Sequence, residues 1–215
     1  MSGNTKEVEK TETSLTSISL MTVFSIIVYT IGAVIIITGI LYTFKKIIGV
    51  DDSLTYEQLL TNQALIPEFF KNIRDYLICN IFFSSFMIPF VFYFAINDRF
   101  KNKSLSRVNI KKYKLIVVAL VLLYSLGFGL FYANKYHDIL GKYDKNYKIV
   151  VENNADVNGY FKQGVDNLGI VPIIHIFSYI VCGIFTIIVV LRRIDFCNED
   201  YAIESGPPML GIKKV

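Results

Sequence analysis

The hydrophobic and polar positions divide the chain into four long apolar stretches separated by polar connections. Asp, Glu, Lys and Arg are absent from Thr13–Phe44, Tyr76–Asn97, Leu115–Asn134 and Asn167–Leu191. Each stretch is about as long as the roughly 20 residues that a helix needs to cross a bilayer. A spanning segment must satisfy its backbone polar groups internally, and these stretches lack the short alternating pattern of barrel strands. The pattern therefore predicts transmembrane helices.

These stretches predict an all-α fold, a polytopic membrane protein built as a bundle of four transmembrane helices. The expected helices cover about 20–44, 76–96, 115–133 and 169–191. They form a membrane domain at 20–191, which lies between a polar cytoplasmic tail at 1–19 and an irregular cytoplasmic tail at 192–215.

The first apolar stretch is predicted to be a retained membrane anchor. A cleavable signal peptide has a basic start and an apolar core of about 7–15 residues. Here the start contains Lys6, Glu7, Glu9, Lys10 and Glu12 and is net acidic, and the apolar stretch is too long.

Two prolines give local structure to the second helix. Pro67 suits the first position of a helix, and Glu68 then lies in the first turn, where the helix dipole favours an anion. Pro89 lies inside the expected span and is predicted to kink it, because proline removes a backbone hydrogen bond.

The longest connection, 134–168, is predicted to be a polar external loop. Its five lysines balance its five acidic residues. Within it, 147–159 places Ile149, Val150 and Val151 between Asn and Gly residues, a pattern that favours a short hairpin. The loop is either a recognition surface or a simple solvated connection.

Composition narrows the class of protein. Hydrophobic residues make up 53% of the chain and charged residues 19%, and the net charge of +4 is too small and scattered to indicate a nucleic-acid partner. The three cysteines, Cys79, Cys182 and Cys197, all lie outside the two large loops, so no disulfide framework is indicated. Together with the absence of Trp, this disfavours tetraspanins and claudins.

The distribution of Lys and Arg predicts the orientation in the membrane. Cytoplasmic flanks are enriched in these residues. The connection between the second and third spans carries a basic cluster, and Arg192 and Arg193 follow the last span. Both features place the two termini in the cytoplasm, although Lys45 and Lys46 then face outward. The basic cluster either sets topology alone or also binds anionic lipid head groups; it comprises Arg99, Lys101, Lys103, Arg107, Lys111, Lys112 and Lys114.

This layout resembles that of the immunity proteins for pore-forming colicins of the colicin A class. The resemblance lies in the four spans and the two cytoplasmic ends; no sequence motif is shared. The external connection at 134–168 is longer than expected for that family. The resemblance implies a protein that inhibits another protein by contact within the membrane.

Small residues recur on one face of two predicted helices. Such residues allow close helix approach in lipid, either within the chain's own bundle or against a partner membrane protein. On the first helix they fall at seven-residue spacing, and on the fourth at about four-residue spacing. They are Ser25, Gly32 and Gly39 in the first, and Ser178, Cys182, Gly183 and Thr186 in the fourth.

A candidate polar seam involves the second and fourth helices. His175 is the one strongly polar titratable group within a span, and Tyr179 lies one turn further along the same face. An intramembrane ionisable residue is a functional candidate, but His175 also suits a hydrogen-bonded packing role. Asn80, Ser84 and Ser85 would contribute from the second helix.

No arrangement typical of catalysis is present, and two distant histidines do not suggest a metal site or haem. We therefore expect a non-enzymatic protein with no cofactor and no identified small-molecule substrate. Its partners would be the lipid bilayer and another membrane protein, which it contacts as an accessory or assembly subunit or as an immunity-type inhibitor. The alternative is a small transporter or channel-forming protein, although the absence of charged residues from the spans disfavours ion-coupled transport.

Overall fold

A computed structural model describes residues 14–48, 56–100, 107–153, 155–156 and 158–204. Every regular element in these residues is helical. The elements in chain order are α1 (Leu15–Ile47), α2 (Tyr56–Thr61), a single 3₁₀ turn (Gln63–Leu65), α3 (Ile66–Phe100), α4 (Arg107–Glu152), α5 (Tyr160–Leu168) and α6 (Ile170–Glu204).

Four of these helices, α1, α3, α4 and α6, are long and apolar enough to cross a membrane. They pack as an up-down-up-down bundle, which confirms the predicted all-α four-helix architecture of a multi-pass membrane protein. Helix α3 is central and packs on each of the other three. Within the most apolar window of each helix, 56% of the residues of α3 are buried but only 17% in α1 and 11% in α4. Helices α1 and α4 therefore present most of their surface to lipid.

One hydrophobic core lies between the spans, towards the end of the bundle that carries the α3–α4 connection. It joins the first half of α1 to the second halves of α3 and α6 and the first half of α4. Two hydroxyl pairs fix α1 alongside α4: Thr22 with Tyr113 at 2.7 Å and Thr30 with Tyr124 at 3.0 Å.

A second core lies at the opposite end and forms a helical cap. It is built from the first turns of α3, the last third of α4, α5 and the start of α6, with Leu59 of α2. At about 1.5 Å per residue, the 46 residues of α4 reach about 69 Å, far more than the roughly 30 Å of hydrocarbon. Helix α4 therefore projects well beyond the membrane and carries the cap.

The cap corrects the prediction for 134–168. This segment is the end of α4 followed by α5, and no hairpin forms in its described residues. Helix α4 continues because Tyr136, Tyr143, Tyr147 and Val150 recur at helical spacing and bury against α3 and α5. The helical pattern was not evident in the sequence because charged residues lie between these positions.

The short connection before α5 is held by side-chain hydrogen bonds to the first turn of that helix. Both carboxylate oxygens of Asp156 accept backbone N–H groups at the start of α5, from Phe161 at 3.1 Å and Lys162 at 3.0 Å. Gly159 adopts a left-handed conformation (φ 68°), which a residue with a side chain rarely adopts. Gln63 ties the 3₁₀ turn to this connection by donating to the Ala155 carbonyl at 2.8 Å.

The helices extend beyond the predicted spans. Helix α1 begins at Leu15, where the Ser14 side chain caps it. Helix α4 takes in 107–114, and α6 continues to Glu204, so the predicted irregular tail is helical over 192–204. The rest of both predicted tails lies outside the described residues.

The two prolines of the second predicted helix both lie in α3. Pro67 and Glu68 are in the first turn of α3, which begins at Ile66, so Pro67 is the second helical residue and not the first. Pro89 lies inside α3, which continues past it to Phe100. The kink stays a prediction.

Candidate functional site

The predicted polar seam is buried where α3, α4 and α6 meet. Each of its five side chains is at most 5% exposed: Asn80, Ser84, Ser85, His175 and Tyr179. The structure brings the residues of α3 and α6 together and adds groups from α4 that sequence reasoning did not identify. These are Ser125, the carbonyl of Gly129, Tyr132 and Tyr136.

His175 is fixed in the seam by one hydrogen bond and two aromatic contacts. Its Nε2 lies 2.9 Å from the Gly129 carbonyl oxygen on α4. A carbonyl only accepts, so Nε2 carries the proton and Nδ1 is left as an acceptor in the neutral ring. The ring lies edge-on to Tyr136 at 5.3 Å and is tilted against Tyr179 at 4.7 Å. This geometry is that of a packed, hydrogen-bonded histidine.

Asn80 anchors the α3 side of the seam. Its side-chain oxygen accepts from the Tyr136 hydroxyl at 3.3 Å, and its backbone carbonyl accepts from Ser84 Oγ at 2.7 Å. Ser84 in turn lies beside the hydroxyls of Tyr136 and Tyr179. The seam is thus a chain of hydroxyl and amide groups inside the bundle.

Three buried polar atoms of the seam make no well-formed hydrogen bond to the described residues, although Ser84 lies near one of them, the Tyr179 hydroxyl. They are Ser125 Oγ, His175 Nδ1 and Tyr179 Oη. Leaving a buried polar group unpaired costs about 1–3 kcal/mol. The seam can therefore form further hydrogen bonds to a small polar species such as water.

The small residues of α6 form an internal helix crossing. Ser178, Cys182, Gly183 and Thr186 are all buried. A Cβ on Gly183 would lie 3.3 Å from Ser125 Oγ, so α4 and α6 approach closely there. These residues are used in the chain's own bundle.

The small residues of α1 are used differently. Ser25 is buried in the bundle, but Gly32 and Gly39 are exposed, and a Cβ added to either would meet nothing within 4 Å. With Ile36 and Thr43, both also exposed, they form one outward strip, here termed the glycine face. No residue described in the structure covers it.

An apolar groove runs beside this face, between α1 and α3. Its volume is about 620 Å³. Helix α1 contributes Val28, Gly32 and Ile37 to its walls, and α3 contributes Met87 and Phe90.

The basic cluster is only partly described. Lys111 and Lys112 are exposed at the start of α4, whereas Lys114 forms an ion pair with Asp195 of α6. Lys101 and Lys103, and the side chains of Arg99 and Arg107, lie outside the described residues.

Comparison of the chain with protein-family models, with curated proteins and with solved structures finds no match.

Proposed function

We propose that this chain is a non-enzymatic membrane protein that acts by binding another membrane protein through the glycine face of α1. In the orientation proposed with it, the α3–α4 connection and both termini are cytoplasmic and the helical cap is external. An accessory subunit and an immunity-type inhibitor both fit this description, and the identity of the partner separates them.

The observation that carries this proposal is the open space beside Gly32 and Gly39, where an added Cβ would meet nothing within 4 Å. Lipid tails are as apolar as leucine, so exposed apolar side chains on a span carry no information about partners. Glycines at a surface are different, because they let a second helix approach the backbone closely and gain dispersion contacts. The burial of His175 and Tyr179 within the seam supports the same reading, since a transport path needs access to water.

Site-specific photocrosslinking in the native membrane tests the proposal. A photoreactive side chain at Ile36 lies on the glycine face, and one at Leu123 of α4 is a matched control; the two residues are 64% and 67% exposed. We expect a discrete adduct from position 36 that is absent from position 123. Equal crosslinking at both positions would count against a partner on α1.

A second set of variants shows whether the glycines matter to that adduct. Gly39→Leu should reduce it at least tenfold, because a leucine forces the helices apart. Gly127→Leu in α4 is the control, since a Cβ at Gly127 also meets nothing within 4 Å. An undiminished adduct in Gly39→Leu would refute close packing at the glycine face.

Transport is the second candidate, and the three seam atoms that lack a well-formed hydrogen bond to the described residues favour it. In proteoliposomes with a pH gradient, the contact proposal predicts decay no faster than in empty liposomes. A proton flux abolished by His175→Leu would assign the seam to transport instead.

A further inference from the structure

A small pocket opens between α1, α3 and α4 at the end of the bundle that carries the cap. It has a volume of about 250 Å³, and its lining is partly polar. Each of the three helices contributes polar groups: Tyr42 and Lys45 from α1, Tyr76 and Asn80 from α3, and Tyr132 and Lys135 from α4. Sequence reasoning did not connect these residues because they are up to 93 positions apart in the chain.

The pocket lies at the level where the apolar stretches end. Lys45 is the first charged residue after the first stretch, and Lys135 is the first after the third. Tyr76 begins the second stretch. The ends of three apolar stretches thus meet at this pocket. This places the pocket at the depth of the lipid head groups.

The charge of the pocket favours an anion. Its described lining contains two lysines and no acidic residue; Lys45 also has a partner within the chain, and Lys135 is exposed. Asp75, which precedes Tyr76, is already engaged by Arg74 through Nε at 3.0 Å and Nη2 at 2.9 Å. The tyrosine hydroxyls and the Asn80 amide add groups that can donate to phosphate oxygens.

The pocket continues into the apolar groove. Ile37 and Met87 line both of them. From Ile37 the groove follows α1 back to Val28, about 14 Å at 1.5 Å per residue. The polar, cationic pocket at head-group depth thus leads into the apolar groove within the hydrocarbon region. This combination matches an amphiphile with an anionic head.

We propose that this pocket binds one anionic phospholipid. The phosphate lies between Lys45 and Lys135, and one acyl chain follows the groove past Ile37 and Met87. Neither lysine belongs to the glycine face, although Gly32 and Ile36 of that face also border the groove. Gly39 borders neither the groove nor the pocket, so variants at Gly39 and at the two lysines separate the two proposals. A zwitterionic phospholipid carries no net charge and binds less tightly, by roughly fivefold for each lysine near the surface.

Competition between lipids tests this site in the purified full chain. The protein is incubated in mild detergent with equal amounts of phosphatidylglycerol and phosphatidylcholine of the same acyl chains, and retained lipid is counted by native mass spectrometry. We expect roughly a 25-fold preference for phosphatidylglycerol, about fivefold from each of the two lysines. Equal retention of the two lipids would overturn the proposal.

The variants Lys45→Gln and Lys135→Gln should each remove most of that preference, and Lys135→Arg should keep it. Lys142→Gln is the control, because Lys142 is an exposed lysine two turns beyond Lys135 on the same helix. Glutamine retains most of the side-chain stem, and circular dichroism checks that each variant is folded. A preference unchanged in both pocket variants, or lost equally in Lys142→Gln, would refute the site. If one pocket variant does not fold, the other and Lys135→Arg decide.

Two further ligands separate the phospholipid from other anions. Inorganic phosphate at millimolar concentration should not displace phosphatidylglycerol, because it lacks the tail that fills the groove. Oleate should bind more weakly than phosphatidylglycerol, because its carboxylate lacks the phosphodiester oxygens that the three helices can share. Displacement by phosphate, or equal retention of oleate, would overturn the phospholipid assignment. Gly39→Leu should leave the lipid preference unchanged, and the lysine variants should leave the crosslink at Ile36 intact. A result that refutes one proposal can therefore be told apart from a result that refutes the other.

Discussion

Replacing Gly164 by alanine tests the packing that holds the helical cap together. A Cβ at Gly164 of α5 would lie 2.2 Å from Cδ2 of Phe70 on α3, and ordinary contact begins near 3.4 Å. The Phe70 ring would have to retreat by more than 1 Å. It is 1% exposed and packs edge-on against Phe161 and Tyr143 at 5.1 and 5.4 Å. Its neighbours therefore block the retreat.

The expected cost follows from two opposing effects. Alanine is a better helix former than glycine by about 1 kcal/mol, which favours the variant. Overpacking a filled core costs about 1–3 kcal/mol and here acts on a ring with no free side. The matched control is Gly141→Ala in α4, where an added Cβ meets nothing within 4 Å and only the favourable effect remains. The two variants should differ by about 1–3 kcal/mol.

Hydrogen exchange of the α5 amides is the suitable assay, because the cap can open without unfolding of the bundle. We expect Gly164→Ala to exchange roughly five- to hundredfold faster over α5 than Gly141→Ala, as a difference of 1–3 kcal/mol implies. The double variant with Phe70→Leu should recover part of the loss, since a narrower side chain relieves the contact. If the two alanine variants exchange at the same rate, α5 does not pack on α3 as described.

Three further predictions address orientation, capping and the seam. After the native cysteines are replaced, a cysteine at Lys145 in the cap should react with a membrane-impermeant thiol reagent in intact cells and one at Lys111 should not; reversed labelling would invert the proposed topology. Asp156→Ala should destabilise α5 by about 1 kcal/mol, seen as faster amide exchange, because two N–H groups lose their acceptor. His175→Gln should keep normal abundance because glutamine can donate to the Gly129 carbonyl, whereas His175→Leu should lower the free energy of unfolding by about 1 kcal/mol. Equal thermal stability of both His175 variants would contradict this role for the hydrogen bond.

The positions of the spans were predictable because a bilayer excludes charge. The ends of the helices were less so, since a helix continues into water wherever its side chains find a partner. Helix α4 continues for 18 residues after Asn134 because Tyr136 and Tyr143 pack into the cap. Gly159, one of the residues that suggested a hairpin, instead forms a turn with Asp156 that starts α5.

The seam was predictable in part. Spacing alone placed Asn80 and Ser84 on one face of α3, and His175 and Tyr179 on one face of α6, and the structure brings these faces together. The groups from α4 were not predictable, because the contact of His175 with the Gly129 carbonyl depends on how far α4 and α6 slide past each other. Periodicity within one helix contains no information on that offset.

The same small-residue pattern has opposite roles in α1 and α6, and the difference supports a partner for α1. In α6, Gly183 lies against Ser125, so the fold itself accounts for a small residue there. In α1, a Cβ added to Gly32 or Gly39 would meet nothing within 4 Å. Each glycine nevertheless lowers the stability of a helix by about 1 kcal/mol relative to alanine. Helix α1 is held through Thr22 and Thr30 to tyrosines of α4, and an added Cβ at either glycine would contact no described residue. The proposed close approach of a second helix would give these exposed glycines the role that the described residues do not give them.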